Sequence, residues 1–105
     1  MRQAGILAAA AMYALDHHVA CLADDHANAT RLAEGLQGLA GVIVQIPQTN
    51  ILFVDIPPER AVGVVDRLRV AGLLCTGLYR LRLATHLDVS TAQIDESVRI
   101  LRAVL

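Results

Sequence analysis

Arg80 and Arg82 lie two residues apart in the strand-like run Tyr79–Thr85 (YRLRLAT). Strand residues two apart share a face. Both guanidinium groups therefore point one way, and Tyr79, Leu81 and Leu83 the other. A planar guanidinium meets a carboxylate through two parallel hydrogen bonds, so this face could hold an oxyanion. For Arg82 the spacing by itself favours a plainer outcome, a solvated strand face. The run breaks at Thr85–Asp88, where His86 reads either as a turn residue or as a group near the site. Arg2, near the start, reads as an exposed terminal residue.

The other reactive side chains form no constellation. His17 and Cys21 are four apart and His18 is close, but no further ligand cluster completes the roughly four positions a tetrahedral metal needs. His26 falls on an apolar stripe, as a core or interface histidine would. Asp24 and Asp25 are adjacent on a helix and point in different directions, so they are no catalytic pair. Gly35, Gly38 and Gly41 follow a helix instead of joining a strand to one, which excludes a phosphate loop. Cys21 and Cys75 are far apart and read as reduced, buried thiols.

Composition narrows the classes further. The 105 residues suit one small domain, residues 1–105. At 55% hydrophobic the chain can bury a core. A net charge of −1 without a basic run argues against nucleic-acid binding. All nine basic residues are arginine and none is lysine. Residues 1–15 have some features of a signal peptide, but His18 fits poorly as the position three before Cys21. The apolar run also falls short of the ~20 residues a membrane span needs. The expectation is a buried helix and a cytoplasmic protein.

The elements that would position the arginines follow from periodicity. Gln3–Leu15 is Ala-rich and apolar all round, which predicts a helix packed against another domain or subunit. Val19–Leu36 predicts a second helix, with Val19, Leu22, His26, Ala29, Leu32, Ala33 and Leu36 as its inner stripe. Val42–Ile46 and Asn50–Ile56 predict a hairpin turning at Pro47-Gln48-Thr49. Pro57-Pro58 leads into a helix over Glu59–Ala71 that Gly72 stops. Leu73–Thr76 and Tyr79–Thr85 predict two more strands. Ser90 and Gln93 predict a capping box that opens a last helix, with Ile94, Val98, Leu101 and Leu105 turned inward. The fold class is α+β: a mostly antiparallel four-stranded sheet with helices on one face, preceded by connecting helices.

Four stretches also carry a resemblance. Met1–Ala10 (MRQAGILAAA), with Tyr13-Ala14-Leu15, resembles the segment after a GGG run in low-specificity L-threonine aldolases. These belong with the β-eliminating lyases in the pyridoxal-phosphate fold type I superfamily. Leu22–Ala29 (LADDHANA), Thr49–Val54 (TNILFV) and Leu81–Ser90 (LRLATHLDVS) continue the match in order. It covers nearly the whole chain, and its first and last motifs are specific. Arg80 and Ala84 stand where the family varies, and neither is assigned a role.

The resemblance implies the C-terminal small domain of such a lyase, with its leading helices. It also implies that Met1 corresponds to an internal methionine. In the intact family, 3-hydroxy amino acids such as L-threonine are cleaved to glycine and an aldehyde, and the cofactor ring holds the electrons. Arg82 matches the arginine that grips the substrate carboxylate, and Arg2 matches one beside the pyridoxal 5'-phosphate cofactor. The cofactor lysine, the ring-stacking histidine and the aspartate on the pyridine nitrogen would all lie upstream. Covalent attachment of the cofactor needs a lysine amine, and these residues have none. The expectation is an inactive chain that needs a cofactor-binding partner domain or chain, within a homo-oligomer (a tetramer in the intact family). The alternative is a free-standing, non-catalytic α+β module that binds a small carboxylate or a protein.

Overall fold

Alternation sorts the sheet into two faces. In the computed structural model, which describes residues 2–105, Leu81 and Leu83 of strand β3 (Arg80–Ala84) are buried, while Arg80, Arg82 and Ala84 are exposed. Strand β2 (Ile51–Asp55) alternates in the same phase, with Leu52 and Val54 buried. The two strands pair antiparallel in the register Ile51↔Ala84, Phe53↔Arg82 and Asp55↔Arg80. Strand β1 (Ile43–Val44) pairs with the other edge of β2. The sheet order is β1-β2-β3.

Helices cover the inner face alone. Helix α1 is Ala4–His17, α2 Leu22–Gly35, α3 Pro58–Ala61, α4 Val64–Val70 and α5 Thr91–Val104. Leu32 and Ala33 from α2, with Leu36 just after it, meet Leu52, Val54, Leu81 and Leu83 from the sheet. Val64 and Leu68 from α4 and Ile94 and Leu101 from α5 complete this core. Burying each such side chain is worth roughly 1.5–3 kcal/mol, so the inner stripe accounts for the layer order. Ser90 caps α5 as predicted, accepting from the Gln93 N–H at 3.3 Å while the Gln93 side chain accepts from the Ser90 N–H at 2.8 Å.

The α+β class stands, but several elements differ from the sequence expectation. The sheet has three strands. Leu73–Thr76 touches it only through a bridge from Thr76 to Arg82. Glycines at positive φ flank that stretch, Gly72 at 95° and Gly77 at 123°. Gly77 also lies so close to the Arg80 carbonyl that a Cβ would sit 2.0 Å from its oxygen. The turn therefore packs too tightly for a fourth strand to extend. The first strand of the hairpin shrinks to two residues, since Pro47 has no N–H to donate. The helix expected over Glu59–Ala71 breaks at Gly63, whose φ of 72° leaves the helical region.

Burial departs from expectation in three places. None of the residues of α1 is buried. The helix meets α2 at 73° and stands off the body. This gives a radius of gyration of 16.1 Å, against about 13 Å for a compact chain of this size. On α2, Val19 and Leu22 at its start and His26 are exposed, and Asp25 and Asn28 are buried instead. The N-terminal half of α2 faces the polar turn after β3, not the apolar core. Tyr79 is exposed just before β3. Met1, which opens the MRQ match, lies outside the described residues.

Candidate functional site

The outward sheet face carries the candidate site. Its central row is Phe53 opposite Arg82, with Gln45 beyond Phe53 and Thr76 beyond Arg82. The Arg82 backbone N–H donates to the Thr76 carbonyl at 2.7 Å, so both edges of the strand are held at this residue. Its side chain is exposed.

Partnering separates the two strand arginines. Arg80 donates from Nε and Nη2 to the two oxygens of Asp55, at 2.5 and 3.0 Å. Its guanidinium also sits 5.9 Å from the centre of the Phe53 ring, within cation–π range. Gln45 Nε2 adds a third donor to Asp55 at 3.3 Å. The Arg80 hydrogen bonds hold the Asp55 carboxyl below the usual carboxylate range, against an opposing effect of burial. Among the described residues, the Arg82 guanidinium has no hydrogen-bond or ion-pair partner. Arg31, Arg69 and Arg99 hold carboxylates, and Arg60, Arg67 and Arg102 hold backbone carbonyls. Arg82 and Arg2 are the two without a partner among the described residues. Arg2 is exposed in the turn before α1, and no hydrogen bond or ion pair among the described residues joins it to the sheet face.

Beside Arg82's row the hairpin leaves a hollow of about 380 Å³, walled by Gln45, Ile46, Pro47, Gln48, Thr49, Ile51 and Phe53. A carboxylate held by Arg82 would therefore have a neighbouring hollow of mixed polar and apolar lining.

The turn after β3 is built by polar side chains. Thr85 donates from Oγ1 to the Asp25 carbonyl at 2.6 Å, and Asn50 donates from Nδ2 to the Thr85 carbonyl at 2.7 Å. The Thr91 hydroxyl donates to Asn28 Oδ1 at 3.0 Å. These contacts join the motifs around Asn28, Asn50 and Thr85, which lie far apart in sequence. Buried polar groups must be paired, and here the pairing fixes where β3 ends. Sequence reasoning missed this network and the Asp55–Arg80 pair. The only sign of either was the presence of polar residues inside apolar motifs.

His86 lies in that turn and accepts the Asp88 N–H at Nδ1, 3.3 Å away. It also lines two clefts on the helix side, of about 500 and 340 Å³. His17 stacks on Tyr13 with ring centres 4.1 Å apart. Among the described residues no three of His, Cys, Asp and Glu gather as metal ligands. Burial pushes the Cys75 thiol up, which is the wrong direction for a nucleophile.

The family model for beta-eliminating lyase matches residues 1–58, more than half of the chain. The chain belongs to the beta-eliminating lyase family. This lyase-family chain is 45% identical over 105 residues to the low specificity L-threonine aldolase of Escherichia coli O157:H7. It is 44% identical over the same length to that of strain K12. Each alignment takes in 100% of this chain and 31% of the relative. A probable low-specificity L-threonine aldolase 2 of Arabidopsis thaliana is 37% identical over 102 residues, 90% of this chain and 29% of that protein. The lyase-family chain thus spans about a third of the length of these curated relatives. Among solved structures, the aminotransferase TlmJ from Streptoalloteichus hindustanus matches with a TM-score of 0.67 at 16% identity, over 79% of this chain and 31% of that one. That likeness concerns the fold, and it agrees with the α+β small domain expected for a fold type I enzyme. No single helix among the described residues is long and apolar enough to cross a membrane.

Proposed function

We propose that this chain is the C-terminal small-domain portion of a pyridoxal-phosphate-dependent lyase of the L-threonine aldolase type, and that Arg82 anchors the substrate carboxylate. The observation that carries the reading is the contrast on β3. Arg80 is saturated by Asp55, whereas Arg82, on the same face, has its backbone held and its guanidinium open among the described residues. A side chain fixed at its base and open at its tip suits capture of a substrate carboxylate, with two parallel hydrogen bonds setting its orientation. Identity of 44–45% to two L-threonine aldolases supports threonine or a related 3-hydroxy amino acid as substrate, with glycine and an aldehyde as products.

When bound, pyridoxal 5'-phosphate supplies the electron sink for carbon–carbon cleavage. The residues here fit it only in part. Arg2 offers an exposed, open cation to its phosphate or ring substituents, but no lysine is available to attach it. The lysine-bearing portion is therefore a separate domain or chain, and the 105 residues alone are inactive. The exposed apolar surface of α1 supports packing against that portion or a further copy; the family resemblance extends the proposal to a cytoplasmic homo-oligomer of four copies.

Co-expression with the lysine-bearing remainder of an Escherichia coli relative tests this reading. The expected result is cofactor absorbance and threonine cleavage from the pair, and neither from the chain alone. Threonine cleavage by the chain alone, above a cofactor-only blank, would overturn it. In the reconstituted pair Arg82→Ala lowers kcat/KM by about 10- to 200-fold, the loss of one charge-assisted contact. Arg82→Lys recovers part of this. An unchanged kcat/KM in Arg82→Ala removes the anchor.

A further inference from the structure

We propose that Arg80 is a positioning residue: by occupying Asp55 it keeps that carboxylate from capturing Arg82, and so leaves Arg82 open to an external carboxylate. The proposal rests on the reading of Arg82 as the anchor.

The register supplies the geometry. Asp55 is directly opposite Arg80, and Arg82 is its diagonal neighbour on the same face. Diagonal partners sit about 7–8 Å apart, still within reach of a long side chain. A lone carboxylate beside an unpaired guanidinium on one sheet face would close an ion pair. Arg80 prevents this by taking both Asp55 oxygens, at 2.5 and 3.0 Å. Two further contacts hold the arrangement in place. The Phe53 ring lies under the Arg80 guanidinium at 5.9 Å, and Gln45 reaches the same carboxylate from β1's side at 3.3 Å. With Asp55 neutralised, the face keeps one uncommitted positive charge, at Arg82. A pair that only fastened two strands would place no constraint on a neighbouring arginine, which gives the proposal its test.

The test is side-chain NMR on the full chain, following the Asp55 carboxyl titration and the Arg82 Nε–H signal during addition of glycine. The variants are Arg80→Ala, Arg80→Gln, Arg80→Ala with Arg82→Ala, and Arg80→Ala with Asp55→Asn. Using two substitutions of Arg80 keeps the test open if one disturbs folding. If Arg82 replaces the lost partner, the Asp55 midpoint stays depressed in both single variants. It then returns to the ordinary value of about 3.9 only when Arg82 is also removed. Glycine binding at Arg82 weakens about two- to fivefold in the Arg80 variants, the size of an exposed ion pair, and recovers when Asp55→Asn is added. An Asp55 midpoint as high in Arg80→Ala as in the double variant overturns the proposal. If glycine fails to move Arg82 both in the wild-type chain and in its pair with the lysine-bearing remainder, the anchor reading falls, and the Asp55 titration still decides whether Arg80 keeps the two apart.

Discussion

Helices α1 and α5 are both fourteen residues long, yet only α5 contributes buried side chains to the core. α1 is the more apolar, with no Arg, Lys or Glu and a single Asp, and none of its residues is buried. α5 carries Asp95, Glu96, Arg99 and Arg102, and its Ile94 and Leu101 are locked in the core. α1 starts from Gln3 at a φ of 63° with no side-chain cap, whereas α5 starts from a full capping box. The lesson is that hydrophobic content does not decide burial. A helix docks when its apolar residues form one stripe and its ends are fixed. A helix that is apolar all round has no preferred side for a small body to cover.

The largest expected effect is at Leu101. Leu101→Ala removes a fully buried side chain and costs about 2–5 kcal/mol in equilibrium unfolding. Leu15→Ala, at a residue 70% exposed, changes stability by less than about 0.5 kcal/mol. Equal costs would mean that α1 is packed after all, and the comparison would fail. A smaller effect belongs to the cap: Ser90→Ala costs about 1 kcal/mol, while Gln3→Ala leaves the unfolding midpoint where it was.

The smallest effect is electrostatic. Arg31 of α2 holds Asp95 of α5 through two hydrogen bonds, at 2.6 and 3.0 Å. These bonds hold the Asp95 carboxyl below its usual range. The stabilising contribution is therefore complete above about pH 4, the ordinary carboxylate value, and is lost as pH falls through the lower folded-state value. Arg31→Ala removes that acid-side slope, which is read by unfolding at a series of pH values. The same slope in both proteins would show that the pair does not join α2 to α5 in solution.

The inner stripe of α5 was legible because Ile94, Val98 and Leu101 recur at helical spacing behind a recognisable cap. The shared face of Arg80 and Arg82 was legible because strand alternation is a local rule. Gly63 interrupts a pattern that otherwise reads as one helix, and periodicity cannot tell a tolerated glycine from one at positive φ. Asp25 and Asn28 fall outside the apolar stripe of α2, and the stripe rule assumes an apolar partner. The structure instead sets them against a polar turn, where Thr91 donates to the Asn28 side chain and Thr85 to the Asp25 backbone carbonyl.

The sequence by itself determined the chemistry available here. It supplies nine guanidinium groups, no lysine amine, a strand with two arginines on one side and motifs that resemble one lyase family. Those properties depend on residue identity and short-range spacing. Only the tertiary structure decided which arginine is committed. Asp55 and Arg80 are 25 residues apart, and the register that sets them opposite each other is fixed by burial of Leu52, Val54, Leu81 and Leu83 on the other face. A slip of one residue would turn those side chains out to solvent. Core packing therefore selects the pairing that leaves Arg82 open.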